Sequence, residues 1–342
     1  MFKCPFCSED VAAKPKLSEH GILVACSHCL NPVVLRREGG KSVVDFPEGF
    51  QDVRERAREG SIADEILKVL PQAVERLPVL PEIAHRVMNM TRDLEVSMSD
   101  LAEVIREDQV IALKILQLSN SPVYGGLTEI KDLDAACSRL GMKTISNAVL
   151  AIANGRVYTT TNPRYQTLMH SLWHHALATA YCASEIAVML AEPGPDVLFI
   201  AGLIHDIGKV PLLDLVANGD VPALEPLRQS EEVFEEVLEA YYGLIGLHVV
   251  EHWGLPAEFA ITTFCHSYHD AVPDDAWLGR VHIVSLASEI ADVSGFGEAD
   301  EDTSLMSHPS PRYLGLNDLK LAALRVDLED KLAPYLEITR AS

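Results

Sequence analysis

The sequence predicts a mainly all-α protein that begins with a very small β module. Three observations carry that expectation. From Ser61 almost to the end of the 342 residues, apolar side chains recur at helical spacing between recognisable caps. The one convincing pair of strands falls within the first 46 residues. The same short stretch holds four of the seven cysteines, arranged as two C-x-x-C pairs.

Cys4-Pro-Phe-Cys7 and Cys26-Ser-His-Cys29 are separated by 18 residues, a spacing that suits a structural zinc site. Each pair forms a tight knuckle whose thiolates reach one ion. Two knuckles close a tetrahedral shell of Cys4, Cys7, Cys26 and Cys29 and leave no open position for water. The expected role is therefore folding rather than catalysis. Two disulfides would need an oxidising compartment, and Met-Phe-Lys-Cys-Pro is no secretory signal. Cys137, Cys182 and Cys265 lie scattered in apolar segments and read as reduced core residues, which fits a cytoplasmic protein.

After the second knuckle, Val33-Val34-Leu35-Arg36-Arg37, Glu38-Gly39-Gly40 and Lys41-Ser42-Val43-Val44-Asp45-Phe46 read as a β-hairpin. Knuckle, knuckle, hairpin resembles a zinc ribbon, expected over residues 1–46. A module that small has little core, so metal binding and folding should be one event. Residues 47–60 read as a polar linker, and residues 61–342 as the helical domain.

Charge is distributed unevenly. The chain has 28 basic and 50 acidic residues, a net charge of -22, yet residues 1–60 carry nine of each sign. A surface this acidic repels nucleic-acid phosphates and anionic membranes, and Arg36-Arg37 is the ribbon's only basic cluster. Most of these charges serve solubility. Every apolar run is interrupted by a charge or proline before it could span a bilayer.

The helices follow in order. Ser61 is a fitting cap for Ile62–Leu70, Ser99 for Asp100–Arg106, and Asp108 for Gln109–Leu118. In the last of these, Val110, Leu113, Ile115, Leu116 and Leu118 supply the apolar face, and Asn120-Ser121-Pro122 stops it. Further helices fit Leu133–Leu140, Met142–Ala153, Tyr165–Leu190, Asp196–Leu215, Glu231–Trp253, Pro256–His266 and Leu278–Val293. Asn317–Leu336 follows, with Leu319, Ala322, Ala323, Val326 and Leu332 as its apolar residues. Residues 216–230 and 295–313 have the helix-breaking composition of mobile loops.

A second motif is His205-Asp206-Ile207-Gly208-Lys209. Neighbouring His and Asp side chains can chelate one metal, and Gly208 leaves room beside it. The apolar run Leu198–Ile204 drives the pair inward. Upstream, His175 shares a helical stripe with Leu168, Leu172, Thr179, Cys182 and Ile186, so it should also face the interior; His174, on the opposite stripe, should face solvent.

With these residues in view, the chain resembles the HDOD family, relatives of the HD-domain metal-dependent phosphohydrolases. The resemblance runs from about Leu77 to about Gly297. It is carried by Leu77-Pro78-Val79-Leu80-Pro81, by Leu116-Gln117-Leu118-Ser119-Asn120-Ser121-Pro122 with Tyr124, and by Ala136 with Leu140-Gly141. Leu172-Trp173-His174-His175, Ala201 through Lys209, and Trp253-Gly254-Leu255-Pro256 complete it. The resemblance implies an all-α HD-related domain behind the zinc ribbon. It also places the family's first His at His175, and the His-Asp pair at His205 and Asp206 with Lys209 beside them.

The resemblance implies further ligand positions, and there the sequence departs. Tyr242 stands where many relatives carry His. The family's His-His pair falls on His266 and Ser267, and its late Asp on Ser288. Glu289 and Asp292 are one and four residues away, and each residue of helix turns a side chain by about 100 degrees, so neither substitutes easily. Three ligands are too few for a binuclear centre, and Tyr and Ser replace the missing ones poorly. The expectation is a buried, vestigial hydrogen-bonded cluster, no second metal beyond the ribbon's Zn2+, and no catalysis. The implied role is bacterial signal transduction, as a regulatory output or docking module that meets protein partners. The alternative is a metal-dependent phosphohydrolase acting on a nucleotide or cyclic dinucleotide.

Overall fold

The computed structural model describes residues 2–11, 21–26, 28, 29, 31–38, 41–45, 47, 62–77, 81–90, 95–126, 128–218, 221–297, 299 and 302–339. Among these, every strand lies in the N-terminal module. β1 (Phe2–Lys3) pairs antiparallel with β2 (Asp10–Val11), and β3 (Ile22–Ala25), β4 (Pro32–Glu38) and β5 (Lys41–Asp45) form an antiparallel sheet in that order. The β4–β5 register runs out to Glu38 opposite Lys41, so Glu38, expected in the turn, belongs to the strand; Gly39 and Gly40 fall outside the described residues. The linker over 47–60, the Ser61 cap and residues 78–80 of the Leu77–Pro81 segment fall outside the described residues, apart from Pro47.

The remainder is helical: α1 (Ile62–Arg76), α2 (Glu82–Met90), α3 (Met98–Arg106), α4 (Gln109–Ser119), α5 (Leu133–Gly155), α6 (Pro163–Leu190) and α7 (Pro195–Ile204). Then come α8 (Lys209–Asn218), α9 (Glu225–Gln229), α10 (Glu231–His252), α11 (Ala257–Cys265), α12 (Asp275–Ala291), α13 (Pro309–Leu314) and α14 (Asp318–Thr339). Side chains that accept from the first free N–H groups set many of the starts: Asp108 for α4, Asp132 for α5, Asn162 for α6, Ser230 for α10 and Asp274 for α12. For α3 the cap is Ser97, not Ser99. Ser97 and Asp100 form a reciprocal capping box, which Ser99 is too close to Asp100 to make.

Four helices differ from the sequence expectation for tertiary reasons. α5 joins two expected helices across a kink at Gly141, whose φ of 78° suits glycine. In α4 it is Ile111, Lys114, Ile115 and Leu118 that are buried, whereas Val110 and Leu113 are exposed. In α14 the buried stripe is Leu321, Leu324, Leu328, Leu332 and Tyr335, and Leu319 and Val326 face outward. Both helices are apolar on more than one side, and the neighbours they pack on choose the stripe. The expected Asp196–Leu215 helix is broken into α7 and α8 by a turn over 205–208. The two stretches read as mobile loops contain short helices instead: Pro222–Leu224 and α9 in the first, Leu305–Ser307 and α13 in the second.

α6 lies at the centre, packed chiefly on α7 and α12. The β module sits on α10 and α11: Leu23, Ala25 and Val34 join the helical core, and the Ala25 N–H donates to Glu251 Oε1 at 2.8 Å. A second, smaller core forms around the cysteines with Val11, Ile22, Val24, Val33 and Leu35.

Candidate metal centres and the cavity beside them

Two described groups gather metal-ligating atoms within 4.8 Å of one another: Cys4, Cys7, Cys26 and Cys29, and His175, His205 and Asp206. In the first, the β1–β2 turn brings Cys4 and Cys7 together, and the approach to β4 brings Cys26 and Cys29 against them. Cys4 Sγ lies 3.6 Å from Cys29 Sγ, and Cys7 Sγ lies 3.7 Å from Cys26 Sγ. Sulfurs around a tetrahedral zinc, each at about 2.3 Å, are separated by about 3.8 Å, whereas a disulfide needs about 2.05 Å. The four thiols therefore have the spacing of a closed zinc shell. Asn31, fully buried, donates from Nδ2 to Cys29 Sγ at 3.5 Å, the kind of outer contact that fixes a ligand. Burial pushes the Cys4 and Cys29 thiols up, so a cation is what would keep those two as thiolates. At Cys26 burial is outweighed by hydrogen bonds from the Cys29 and His28 backbone, which hold the thiol down.

The second group forms where α6, the α7–α8 turn and α12 meet. His175 comes from the inward stripe of α6; His205 and Asp206 occupy the turn that ends α7. At this turn the chain comes against α10, on which α8 packs: a Cβ on Gly208 would stand 1.9 Å from the Tyr242 carbonyl oxygen. Gly208 thus makes room for the α10 backbone rather than for a metal. His175 Nε2 and His205 Nε2 approach to 3.1 Å. His205 Nδ1–H donates to the Gly202 carbonyl at 2.7 Å, which leaves its Nε2 as the bare nitrogen. His175 Nδ1 lies 3.2 Å from Asp292 Oδ1. Asp206 oxygens stand 3.6 Å from His205 Nε2 and 3.9 Å from His175 Nε2.

Two more groups complete the arrangement. His266, at the end of α11, lies 3.4 Å from Asp206 Oδ1, and Lys209 Nζ donates to Asp206 Oδ2 at 2.7 Å. Burial alone would raise the Asp206 carboxyl; the charged forms of its neighbours His205 and Lys209 outweigh that and hold it well below the usual carboxylate range, and at ordinary pH the Lys209 ammonium is the one that is charged. Burial pushes His205 down to about 3, so its ring is neutral at ordinary pH.

The residues fit a single ion. Two Nε2 atoms 3.1 Å apart are close to the about 3.3 Å of two nitrogens on one tetrahedral metal, and Asp206 offers a third donor. When bound, such an ion would polarise a water or an ester oxygen. A second ion sharing Asp206 would meet the Lys209 ammonium.

The structure brings Tyr242, Ser267 and Ser288 to the neighbourhood of this cluster. All three line one cavity of about 700 Å³ with His175, Asp206 and His266. Tyr242 Oη is hydrogen-bonded to Ser267 and lies 3.4 Å from His266 Nε2; Ser288 Oγ lies 3.2 Å from His175 Nε2. Asp292 reaches the cluster from the outer side of His175, 3.2 Å from Nδ1 but without hydrogen-bond geometry. His174, expected in solvent, is half-buried and lines the same cavity. Sequence reasoning did not find His269, His282 and His308. Their rings meet where the short helix at His269–Ala271, α12 and the cap of α13 converge, tilted with centroids 4.4 Å apart for His269–His282 and edge-on at 6.2 Å for His269–His308. Their spacing in the chain gives no signal.

An all-α domain with a buried His–His–Asp group against the middle of its central helix defines the class: a histidine–aspartate helical domain. Within that class the chain belongs to the HDOD family, whose domain model matches residues 77–269. An HDOD domain protein of unknown function from Geobacter sulfurreducens has a similar fold, with TM-score 0.59 and 23% identity, over 81% of this chain and 98% of that one. So does a candidate metal-dependent phosphohydrolase from Shewanella amazonensis SB2B, with TM-score 0.57 and 21% identity over 79% and 96%. An uncharacterised protein of Treponema pallidum is 23% identical over 232 residues, 64% of this chain; the chain matches 43% of that protein's length. Among the described residues no helix is long and apolar enough to cross a membrane.

Proposed function

We propose that this chain is a bacterial, cytoplasmic signalling protein whose HDOD domain, over residues 61–342, docks protein partners without turning over a substrate. In this reading the module over residues 1–46 holds one structural zinc through Cys4, Cys7, Cys26 and Cys29. The observation that carries the non-catalytic reading is the Lys209 ammonium, 2.7 Å from Asp206 Oδ2. It takes the side of the carboxylate that a second cation would use, while Tyr242, Ser267 and Ser288 offer weak ligands in the surrounding wall. Phosphoester hydrolysis with two metals clamping the attacking and leaving oxygens has no second seat here.

A second reading, a phosphohydrolase with one metal on His175, His205 and Asp206, is favoured by the two facing Nε2 atoms alone. One experiment separates them. Purified protein is assayed for metal content, then for turnover of nucleotides, cyclic dinucleotides and an aryl phosphate with added manganese or iron. The expected result is one zinc per chain and no turnover above the His205→Ala, Asp206→Ala double variant. Turnover that the double variant removes overturns the docking reading.

A further inference from the structure

A second cavity, of about 490 Å³, opens between α4, the C-terminal end of α5 with the loop after it, and the first turns of α6. Its lining includes Lys114, Arg156, Thr160, Thr167 and His170, and contains no Asp or Glu. That is a marked local reversal in a chain with 50 acidic and 28 basic residues. Lys114 is only 7% exposed and sits on the buried stripe of α4 beside Ile111, Ile115 and Leu118. Helix periodicity calls for an apolar side chain there, and burying an ammonium is costly. Burial lowers the Lys114 pKa, and the neighbouring Arg156 guanidinium, its side chain 38% exposed, lowers it further.

Arg156 is held in place. Its Nη2 lies 3.2 and 3.1 Å from Asp108 Oδ1 and Oδ2. That carboxylate also accepts the Val110 and Ile111 N–H groups at the start of α4, so its charge is divided between a helix terminus and the guanidinium. A third donor stands in the same wall: Trp173 Nε1 is buried and has no acceptor among the described residues. The Trp173 ring abuts Gly155, where an added Cβ would stand 3.3 Å from its Cε2 and Cζ2.

We propose that this cavity binds a small metabolite bearing an oxoanion, phosphate or carboxylate, seated between Lys114 and Arg156. The guanidinium supplies a planar fork and the ammonium a point charge, which together suit an oxoanion. Thr160 and Thr167 hydroxyls add donors at the rim. The volume suits a small molecule. The site is separate from the cavity beside Asp206: α6 stands between them, with His170 lining one and His174 and His175 lining the other. It does not depend on whether the His–Asp cluster is catalytic.

The test is calorimetric titration of the full-length, zinc-loaded protein at low ionic strength, with inorganic phosphate in one arm and succinate in the other. One saturable site per chain is expected in at least one arm, and the tighter arm identifies the oxoanion class. Lys114→Met and Arg156→Gln should each weaken it about tenfold or more. Thr167→Val, an exposed change with little risk to folding, should weaken it severalfold. Glu239→Gln, an exposed change in the other cavity, should leave it unchanged. The proposal is overturned by absence of saturable binding in both arms. It is also overturned by affinity that survives both Lys114→Met and Arg156→Gln, or by loss of binding on Glu239→Gln.

Discussion

At the scale of single residues, the most constrained position is Asp206. It is 5% exposed and is contacted by Lys209, His266 and His205 at 2.7, 3.4 and 3.6 Å. Removing one partner of a buried, hydrogen-bonded charge pair leaves the other uncompensated. Asp206→Ala strands the Lys209 ammonium, whose remaining ion-pair partner among the described residues, Glu239 at 3.6 Å, is largely exposed. The expected loss is on the order of 3 kcal/mol. Urea denaturation of protein carrying one zinc, without other added metal, checks it. A loss that develops only after manganese or iron is added would mean that Asp206 serves as a ligand rather than as the partner of Lys209. The sequence motif marked His205 and Asp206 as interior but gave Gly208 the wrong reason. Its missing Cβ accommodates the Tyr242 carbonyl, a contact between helices far apart in the chain.

Among elements, the contact of α12 with α13 is governed by a histidine pair and a tyrosine. His282 Nδ1 and Ser310 Oγ are 2.9 Å apart, and the His282 ring stacks on Tyr313 with centroids 4.0 Å apart. His308 caps α13 by accepting the Ser310 N–H through Nδ1 at 3.2 Å. Burial pushes His282 down to about 4, with His269 and His308 adding to the shift, while its unfolded value stays near 6.5. The sign follows from proton counting: between those two values the unfolded chain binds a proton that the folded chain refuses. The stability is thus fully present above about pH 6.5 and is lost as pH falls towards about 4. Denaturation midpoints of wild type and His282→Gln, compared from pH 7.5 to 4.5, should diverge least at the acid end; equal slopes would mean that His282 does not couple to folding. Both proteins share the ribbon, so loss of zinc in acid cancels in the comparison. These contacts also explain why residues 295–313, whose composition reads as a loop, carry ordered short helices.

For the molecule as a whole, the question is how far the N-terminal module depends on the helices. It has its own core around the cysteines, yet Leu23, Ala25 and Val34 belong to the helical core. Zinc binding and folding of the module should be one event. Cys26→Ser is therefore expected to abolish stoichiometric zinc and to unfold the module. The far-UV helical signal should persist, because the helical core around α6 needs only the edge of β3. A full equivalent of zinc retained by Cys26→Ser would refute the four-cysteine shell. Collapse of the helical signal would mean that the β3 seat on α10 and α11 supports the whole fold.

What the sequence determined by itself is local. C-x-x-C spacing fixes which sulfurs can share an ion, caps such as Asp108 and Ser230 fix where helices begin, and the apolar run before His205 fixes that the pair points inward. Tyr242, Ser267 and Ser288, read from the family pattern as degenerate ligand positions, line the cavity with His175 and His266. What only the tertiary structure decided depends on contacts between distant segments. The outer approach of Asp292 to His175, the ammonium of Lys209 on Asp206, and the His269–His282–His308 group are of this kind. So is the choice of buried stripe on α4 and α14. A helix that is apolar on two sides carries no record of which side its neighbours will cover, and a charge pair across a turn has no period to betray it.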